Sequence, residues 1–333
     1  MAEKKVRTET ATADALPRSA ETALLKPWDT QKPRVSVAKA YKMFVNGAFV
    51  RSESGRYFQV KGQKEKDDAV VVDVDPDPET VNIPRGSRKD VRDAVLAAKN
   101  ALGGWQKRTA FNRSQILYRL AEVMESRKAE LVQSLVRSGV PDVAAVREVE
   151  ASIDRAVFYA GFADKYFSLL ASQNPVAGPH FTFSIPEPMG VIGVVAPERP
   201  SLLGLVSTVL PVVTGGNTCV ALASTTDPRT AILWSECIAT SDMPGGVVNV
   251  LTGFPKELCP PLAKHREVIG IDAWLVDADL RKAIETDGAD NVKRVKTHVP
   301  MDIEAWLDER KGQGLGWIER FLETKTVWHP VGV

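Results

Sequence analysis

The stretch Glu187-Pro188-Met189-Gly190-Val191-Ile192-Gly193-Val194-Val195-Ala196-Pro197 decides how this chain is read. Its centre, residues 191–195, carries no polar side chain. A strand with one wet face alternates apolar and polar residues, whereas a strand covered on both faces need not. The run therefore predicts a parallel strand buried between two layers of helices. The sequence on its C-terminal side continues the theme. A helical pattern over 202–213 leads to a strand at 218–222. A helix over 229–240, a short strand at 247–251, a helix over 256–264 and a strand around 268–275 follow. Strands alternating with helices imply an α/β fold with a parallel sheet, whose ligands bind beyond the carboxyl ends of the strands. The spacing G-x-G-x-x-G does not occur, so the common dinucleotide fingerprint is missing.

On the N-terminal side the rhythm is helical. Ser87-Arg88-Lys89-Asp90 resembles a capping box, and Val91, Ala94, Val95 and Ala98 follow at helical spacing until Gly103-Gly104. Ile116, Leu117, Leu120, Val123 and Met124 mark a second helix, and Leu131, Leu135 and Val136 a third that stops at Gly139. Residues 143–170 read as one long helix with Ile153, Val157, Ala160 and Phe167 on one face. Further out, Met43-Phe44-Val45 and Ala48-Phe49-Val50 flank Asn46-Gly47, a strong hairpin signal. Residues 70–74 read as a strand stopped by Pro76 and Pro78. Residues 1–40 hold too few large apolar side chains to offset their chain entropy and read as a disordered tail. At the other end, 301–313 reads as a helix bearing Trp306, and 323–328 alternates like an edge strand. Phe181, Phe183 and Ile185 alternate with Thr182 and Ser184, which gives a further strand an apolar face.

Composition bounds the function. The 333 residues are 44% hydrophobic, enough for a sizeable core, and 43 basic against 42 acidic residues leave a net charge of +1. That balance offers no electrostatic case for nucleic acid or an anionic membrane. No apolar run approaches the roughly 20 residues needed to span a bilayer. The opening Met1-Ala2-Glu3-Lys4-Lys5 leads into no apolar region of the secretory type. Three widely spaced cysteines, Cys219, Cys237 and Cys259, suit neither a disulfide framework nor a metal site. A cytoplasmic setting is the simplest expectation.

Three segments together resemble the aldehyde dehydrogenase family: the opening run above, Gly215-Gly216-Asn217-Thr218-Cys219-Val220, and Met243-Pro244-Gly245-Gly246-Val247-Val248-Asn249-Val250-Leu251-Thr252-Gly253. The hairpin, the helices from Ser87 and the last strand also fit, so the resemblance covers 41–297 and 316 to the end. It implies a Rossmann-type parallel sheet with an N-terminal helical segment and oligomerisation strands. On that frame, 1–40 is a tail, 41–300 a cofactor-type domain that includes helices 87–170, and 301–333 a remnant helix and oligomerisation strand.

The departures from the family's pattern carry the functional expectation. Glu198-Arg199 stands where the family has Trp-Asn, whose Asn helps to hold an oxyanion. Ala221-Leu222-Ala223-Ser224-Thr225 stands where the family's Leu-Lys-Pro-Ser-Glu holds the adenosine ribose. Leu222 cannot donate to a hydroxyl, and each charged hydrogen bond lost is worth roughly 1.5–3 kcal/mol. Pro255 replaces a glycine of the family's Gly-x-Gly turn, and Ala273-Trp274-Leu275-Val276 replaces Phe-Thr-Gly-Ser. His298 aligns with the family's general-base Glu, and no cysteine follows it. Pro197, Ser224 and Gly253 are the residual cofactor positions.

Each residue also has a plainer reading. Cys219 and Cys237 suit a core, Cys259 before Pro260-Pro261 an exposed site, Arg199 a local ion pair with Glu198, and Ser224 a cap on the turn before Asp227-Pro228. The leading expectation is a catalytically inactive structural or regulatory subunit. Its partner would be a full-length aldehyde dehydrogenase, met through Phe181, Phe183, Ile185, Val327 and Trp328. No cofactor is expected beyond weak NAD(P) binding. Two alternatives stand beside it: an NAD-dependent dehydrogenase with residual or partner-completed activity, and a nucleotide-binding module without chemistry.

Overall fold

Asn46 and Gly47 take φ of 54° and 76°, so the hairpin of β1 (Met43–Val45) and β2 (Ala48–Val50) closes through the turn that Asn-Gly favours. The fold is that of a computed structural model, which describes residues 39–62 and 80–332. The tail at 1–38 and the strand expected at 70–74 lie outside the described residues. Strands β3 (Tyr57–Lys61) and β4 (Thr80–Pro84) pair antiparallel. Helices α1 (Arg88–Gln106), α2 (Ala110–Ser126), α3 (Lys128–Arg137), α4 (Asp142–Phe162) and α5 (Tyr166–Leu170) follow. Next come β5 (Ser172–Asn174) and β6 (His180–Pro188). The alternating region is β7 (Val191–Val195), α6 (Ser201–Thr214), β8 (Thr218–Leu222), α7 (Pro228–Ala239), β9 (Val248–Leu251), α8 (Pro255–Lys264), β10 (Val268–Trp274), α9 (Ala278–Ala289) and β11 (Arg294–His298). Three short helices, α10 (Ile303–Leu307), α11 (Glu309–Gly312) and α12 (Leu315–Glu319), lead to β12 (Leu322–Pro330).

The main sheet runs β11-β10-β7-β8-β9-β1-β2. The pairs from β11 to β9 are parallel, and the hairpin joins β9 antiparallel through Phe44 and Val250. Every residue of β7, β8 and β9 is buried, as the unbroken apolar runs require. The buried amide of Asn217 anchors the glycine turn before β8. Its Oδ1 accepts from Gly190 N at 2.8 Å and its Nδ2 donates to Phe321 O at 3.0 Å, tying β7 and the C-terminal segment to one point.

Several elements differ from the sequence reading. Helix α1 runs through Gly103-Gly104 to Gln106, because Trp105 is buried and its Nε1 donates to Val213 O at 2.9 Å. Tertiary burial outweighs the roughly 1 kcal/mol propensity loss at each glycine. The long helix expected over 143–170 breaks after Phe162, and Val157 and Phe167 lie exposed while Ile153 and Ala160 are buried. The helix expected over 301–313 is two short ones, separated at Asp308. Helix α9 and strand β11 lay outside the sequence reading altogether. Among α9 residues only Ile284 and Gly288 are buried, so its apolar stripe is too thin to read.

A separate sheet, β12-β6-β5, forms the arm. Strand β12 pairs with β6 along its whole length, from Leu322 opposite Pro188 to Pro330 opposite His180. The register puts Phe181, Phe183, Ile185 and Val327 on one face and Thr182, Ser184, Thr326 and Trp328 on the other. The hydroxyl-bearing face is the inner one: Thr182 and Ser184 are buried, and Ser184 Oγ lies 2.8 Å from Thr326 Oγ1. The apolar face is turned outward, with Phe181 44% exposed and Phe183 and Ile185 half-buried.

Candidate functional site

The carboxyl ends of β7, β8, β9 and β10 open on one cleft of about 440 Å³. Glu198, Thr225, Phe254, Pro255, Trp274, Leu275 and Asp277 are among the residues that line it. Glu198 follows β7 and turns its carboxylate onto the loop after β8. Its Oε2 accepts from Thr225 N at 2.8 Å, Thr226 N at 3.0 Å and Ser224 Oγ at 2.9 Å, and its Oε1 accepts from Thr225 Oγ1 at 2.8 Å. The donors of that loop are therefore answered by the chain itself. Ser224 Oγ also accepts from Asp227 N at 3.2 Å, so its hydroxyl caps the turn. Arg199 does not pair with Glu198: its exposed guanidinium donates to Ser138 O at 2.6 Å, across the helical layer.

The same self-sufficiency recurs at the other cofactor positions. Pro197 packs its ring against Gly204, where a Cβ would meet Pro197 Cγ at 2.3 Å. Gly253 has φ of 144° and lies so close to Gly86 that a Cβ would sit 3.0 Å from Gly86 N. Its need for glycine is met by backbone packing within the chain. Pro255 occupies the first turn of α8, where its missing N–H removes no hydrogen bond. Asp277 caps α9 by accepting from Leu280 N at 3.0 Å, which places a carboxylate on a helix N-terminus facing the cleft. Glu198, Glu257 and Asp277 line the cleft against Lys256 as the cation of the lining. A dinucleotide carries a negative diphosphate, and these residues fit it poorly.

Beside the cleft lies a packed aromatic cluster. Trp274 at the end of β10 stacks on His298 at the end of β11, with ring centroids 4.1 Å apart and planes at 15°. It also lies parallel to Trp317, at 5.7 Å and 4°, and tilted against Trp306 at 4.8 Å. Asp272, fully buried on β10, gathers the polar edges. Its Oδ1 lies 2.9 Å from His298 Nε2 and 3.4 Å from Arg320 Nη1, and its Oδ2 accepts from Trp274 Nε1 at 3.1 Å. Arg320 in turn lies over the face of Trp317 at 4.3 Å. The segment that supplies Trp306 is held by buried Arg155, which donates to Trp306 O and Ser207 Oγ, both at 2.9 Å, and to Gly312 O. Sequence reasoning singled out Trp274, His298 and Glu198 but missed Asp272, Arg320 and Trp317, and it expected Glu198 beside Arg199 rather than on the loop after β8. The one signal for the missed residues was a buried-strand aspartate, Asp272, within an otherwise apolar run.

None of the three thiols lines the cleft. Cys219 and Cys259 are buried and desolvation pushes both up to about 12, while burial, eased by Arg127, pushes Cys237 up to about 11. Cys259 thus belongs to the core, not to the surface expected before Pro260-Pro261, because α8 turns it inward with Leu258 and Leu262.

The sequence model of the aldehyde dehydrogenase family matches residues 60–297. The chain belongs to the aldehyde dehydrogenase family. Retinal dehydrogenase 2 of Gallus gallus is 32% identical over 265 residues, which cover 77% of this chain and 48% of that protein. Among solved structures, an NAD-dependent aldehyde dehydrogenase from Sinorhizobium meliloti superposes with a TM-score of 0.71 at 25% identity, over 81% of this chain and 52% of the other. The NAD+ complex of an aldehyde dehydrogenase from Bacillus cereus superposes with a TM-score of 0.70 at 23% identity, covering 78% and 51%, and supports the fold. The chain spans about half the length of the curated relatives it matches.

Proposed function

We propose that this aldehyde dehydrogenase relative works as a non-catalytic structural or regulatory subunit of a hetero-oligomeric aldehyde dehydrogenase. One observation carries the reading: polar groups that line the cleft at the carboxyl end of the sheet are taken up by the chain's own hydrogen bonds. Glu198 takes the donors of the loop after β8, Asp277 takes the start of α9, and Trp274 with His298 closes the ends of β10 and β11. Covalent aldehyde oxidation needs a thiolate, an oxyanion donor and a base. The three thiols here are buried, Arg199 donates to Ser138 O, and His298 stacks against Trp274 with Asp272 at its edge. The outward apolar face of the arm supports the partner half of the reading, since strand addition and side-chain pockets suit such a surface.

A second reading, a nucleotide-binding module, draws on the cleft of about 440 Å³ that persists beside Trp274. The two part company in one experiment. The chain is purified with and without a co-expressed full-length aldehyde dehydrogenase, native mass is measured, and NAD is titrated by calorimetry into the isolated chain. The subunit reading expects a defined mixed complex, no aldehyde turnover by the chain alone, and NAD binding no tighter than about millimolar, or roughly −4 kcal/mol. Micromolar NAD binding with no mixed complex would replace it with the second reading, and turnover abolished by mutating one of the three cysteines would overturn both.

A further inference from the structure

The far end of α8 from the cofactor-type cleft lines a second and larger groove, of about 930 Å³. Its walls are the first turns of α1 and the end of α8 with the loop that follows. Arg88, Lys89, Arg92, Lys264 and Arg266 line it, against a single carboxylate, Glu267. Whereas the chain as a whole carries a net charge of only +1, this groove gathers cations on two facing elements.

Most of the nearby charge is internally matched. Lys89 reaches Glu53 at 2.6 Å, Arg92 reaches Asp93 at 2.8 Å, and Lys264 reaches Asp287 at 3.4 Å. Glu267 is engaged by Lys99 at 2.6 Å. Arg88 and Arg266 make no ion pair or side-chain hydrogen bond among the described residues, and both are exposed. One stands on the α1 wall and the other on the loop wall. Behind the loop, Lys293 is held by carbonyls, donating to His265 O and Val268 O, both at 2.7 Å, with no carboxylate at its head. Burial holds the pKa of His265 below the ordinary value; Glu267 opposes this, and Lys293 and Lys99 add to it.

We propose that this groove binds a small free polyphosphate, an anion of nucleotide size with two or more linked phosphates, between Arg88 and Arg266. Guanidinium forks match phosphate oxygens two at a time, and two such forks on opposite walls suit a ligand that presents phosphates at both ends. Lys89, Arg92 and Lys264 are paired with Glu53, Asp93 and Asp287, which leaves Arg88 and Arg266 as the two guanidinium groups of the lining free to take the anion. The cofactor-type cleft, lined by Glu198, Glu257 and Asp277, is the wrong place for such an anion, and the groove at the other end of α8 is the right one. The inference is independent of the subunit reading.

The test titrates inorganic triphosphate into the full chain by calorimetry at low ionic strength. One-to-one binding is expected. The double variant Arg88→Ala with Arg266→Ala weakens it by at least about tenfold, whereas Arg51→Ala with Lys107→Ala, which removes equal charge outside the groove, leaves it within about twofold. All four positions are exposed coil or helix-end sites, and circular dichroism verifies that each variant is folded. Equal weakening by both double variants would reduce the effect to net charge and overturn the proposal. Vesicles of phosphatidylcholine bearing phosphatidylinositol bisphosphate form the second arm. Binding to these vesicles without binding to free triphosphate would assign the phosphate chemistry to a lipid headgroup and overturn it too.

Discussion

The carboxyl end of the parallel sheet and the outer face of the arm treat their side chains in opposite ways. At the sheet end, polar groups are answered from within: four hydrogen bonds converge on Glu198, and Asp272 gathers His298, Arg320 and Trp274. On the arm, Phe181 and its neighbours Phe183, Ile185 and Val327 face outward while the hydroxyls of Thr182 and Ser184 turn in. A strand that hides its polar face and shows its apolar one is built against the usual order. The sheet end turns polar groups such as Glu198 and Asp272 onto its own donors, and the arm leaves apolar side chains in solvent.

Two substitutions at the closed end should have the largest effects on the stability of the isolated chain. Trp274→Ala removes the ring on which His298, Trp306 and Trp317 pack and leaves Asp272 short of a donor. We expect a loss of about 3–5 kcal/mol in urea unfolding. A loss under about 1 kcal/mol would mean that the cluster is loose and the end is open. Arg155→Met strips the buried carbonyls of Trp306 and Gly312 of their donor, with an expected loss of about 2–3 kcal/mol. Because Arg155 is itself buried and burial lowers its pKa, part of that loss is offset by the charge no longer desolvated. Tryptophan emission should shift to the red before the main transition, as α10 to α12 come away first; a single coincident transition would contradict that.

The same contrast explains what was legible in the sequence. Strands β7 and β8 and the Asn46-Gly47 hairpin were readable because their signals are local: an unbroken apolar run, or a turn that needs positive φ. The family resemblance was readable because its three segments keep their order and spacing. The closure of the site was not. Glu198 answers donors 26 to 28 residues away, and Arg320 reaches Asp272 across 48, distances at which no periodicity helps. The sequence shows Trp274 where the family's pattern has Thr, yet nothing local shows that Trp306 and Trp317 meet it. Likewise the alternation of 181–185 foretold a strand with an apolar face, but which face turns inward depends on what packs beneath it.

A third prediction tests the closed end through pH. Burial raises the pKa of Glu148 against the pull of the Leu202 and Leu203 N–H groups that its Oε1 accepts, with Asp227 adding to the rise and Arg199 opposing it. A carboxyl whose folded pKa is raised binds more protons folded than unfolded. Its stabilising contribution is complete below the unfolded value and is lost as pH rises through the folded one. Glu148→Gln keeps an acceptor for the start of α6 but does not titrate. We therefore expect wild type to lose stability relative to this variant as pH rises above the ordinary glutamate pKa. Chemical unfolding at several pH values checks it, and a constant difference across the range would show that Glu148 titrates alike in both states.

The smallest effect on the isolated chain, and the most direct test of the open face, comes from the arm. Phe181→Ser and Trp328→Ser both replace exposed aromatics, 44% and 59% accessible, so each should change unfolding stability by less than about 1 kcal/mol. They differ in the face that they alter. Phe181 lies with Phe183, Ile185 and Val327 on the outward apolar face, its ring 5.7 Å from that of Phe183. Trp328 lies on the opposite face, edge-on to His180 at 5.7 Å. If a full-length aldehyde dehydrogenase covers the apolar face, Phe181→Ser weakens the mixed complex by at least about tenfold, since a desolvated aromatic anchor is worth about 2 kcal/mol or more at an interface. Trp328→Ser should weaken it much less. The reverse order would move the contact to the opposite face, through the exposed Trp328. Equal indifference to both changes, read by native mass spectrometry of the co-expressed pair, would leave the arm without a role in assembly and remove the main support for a partner.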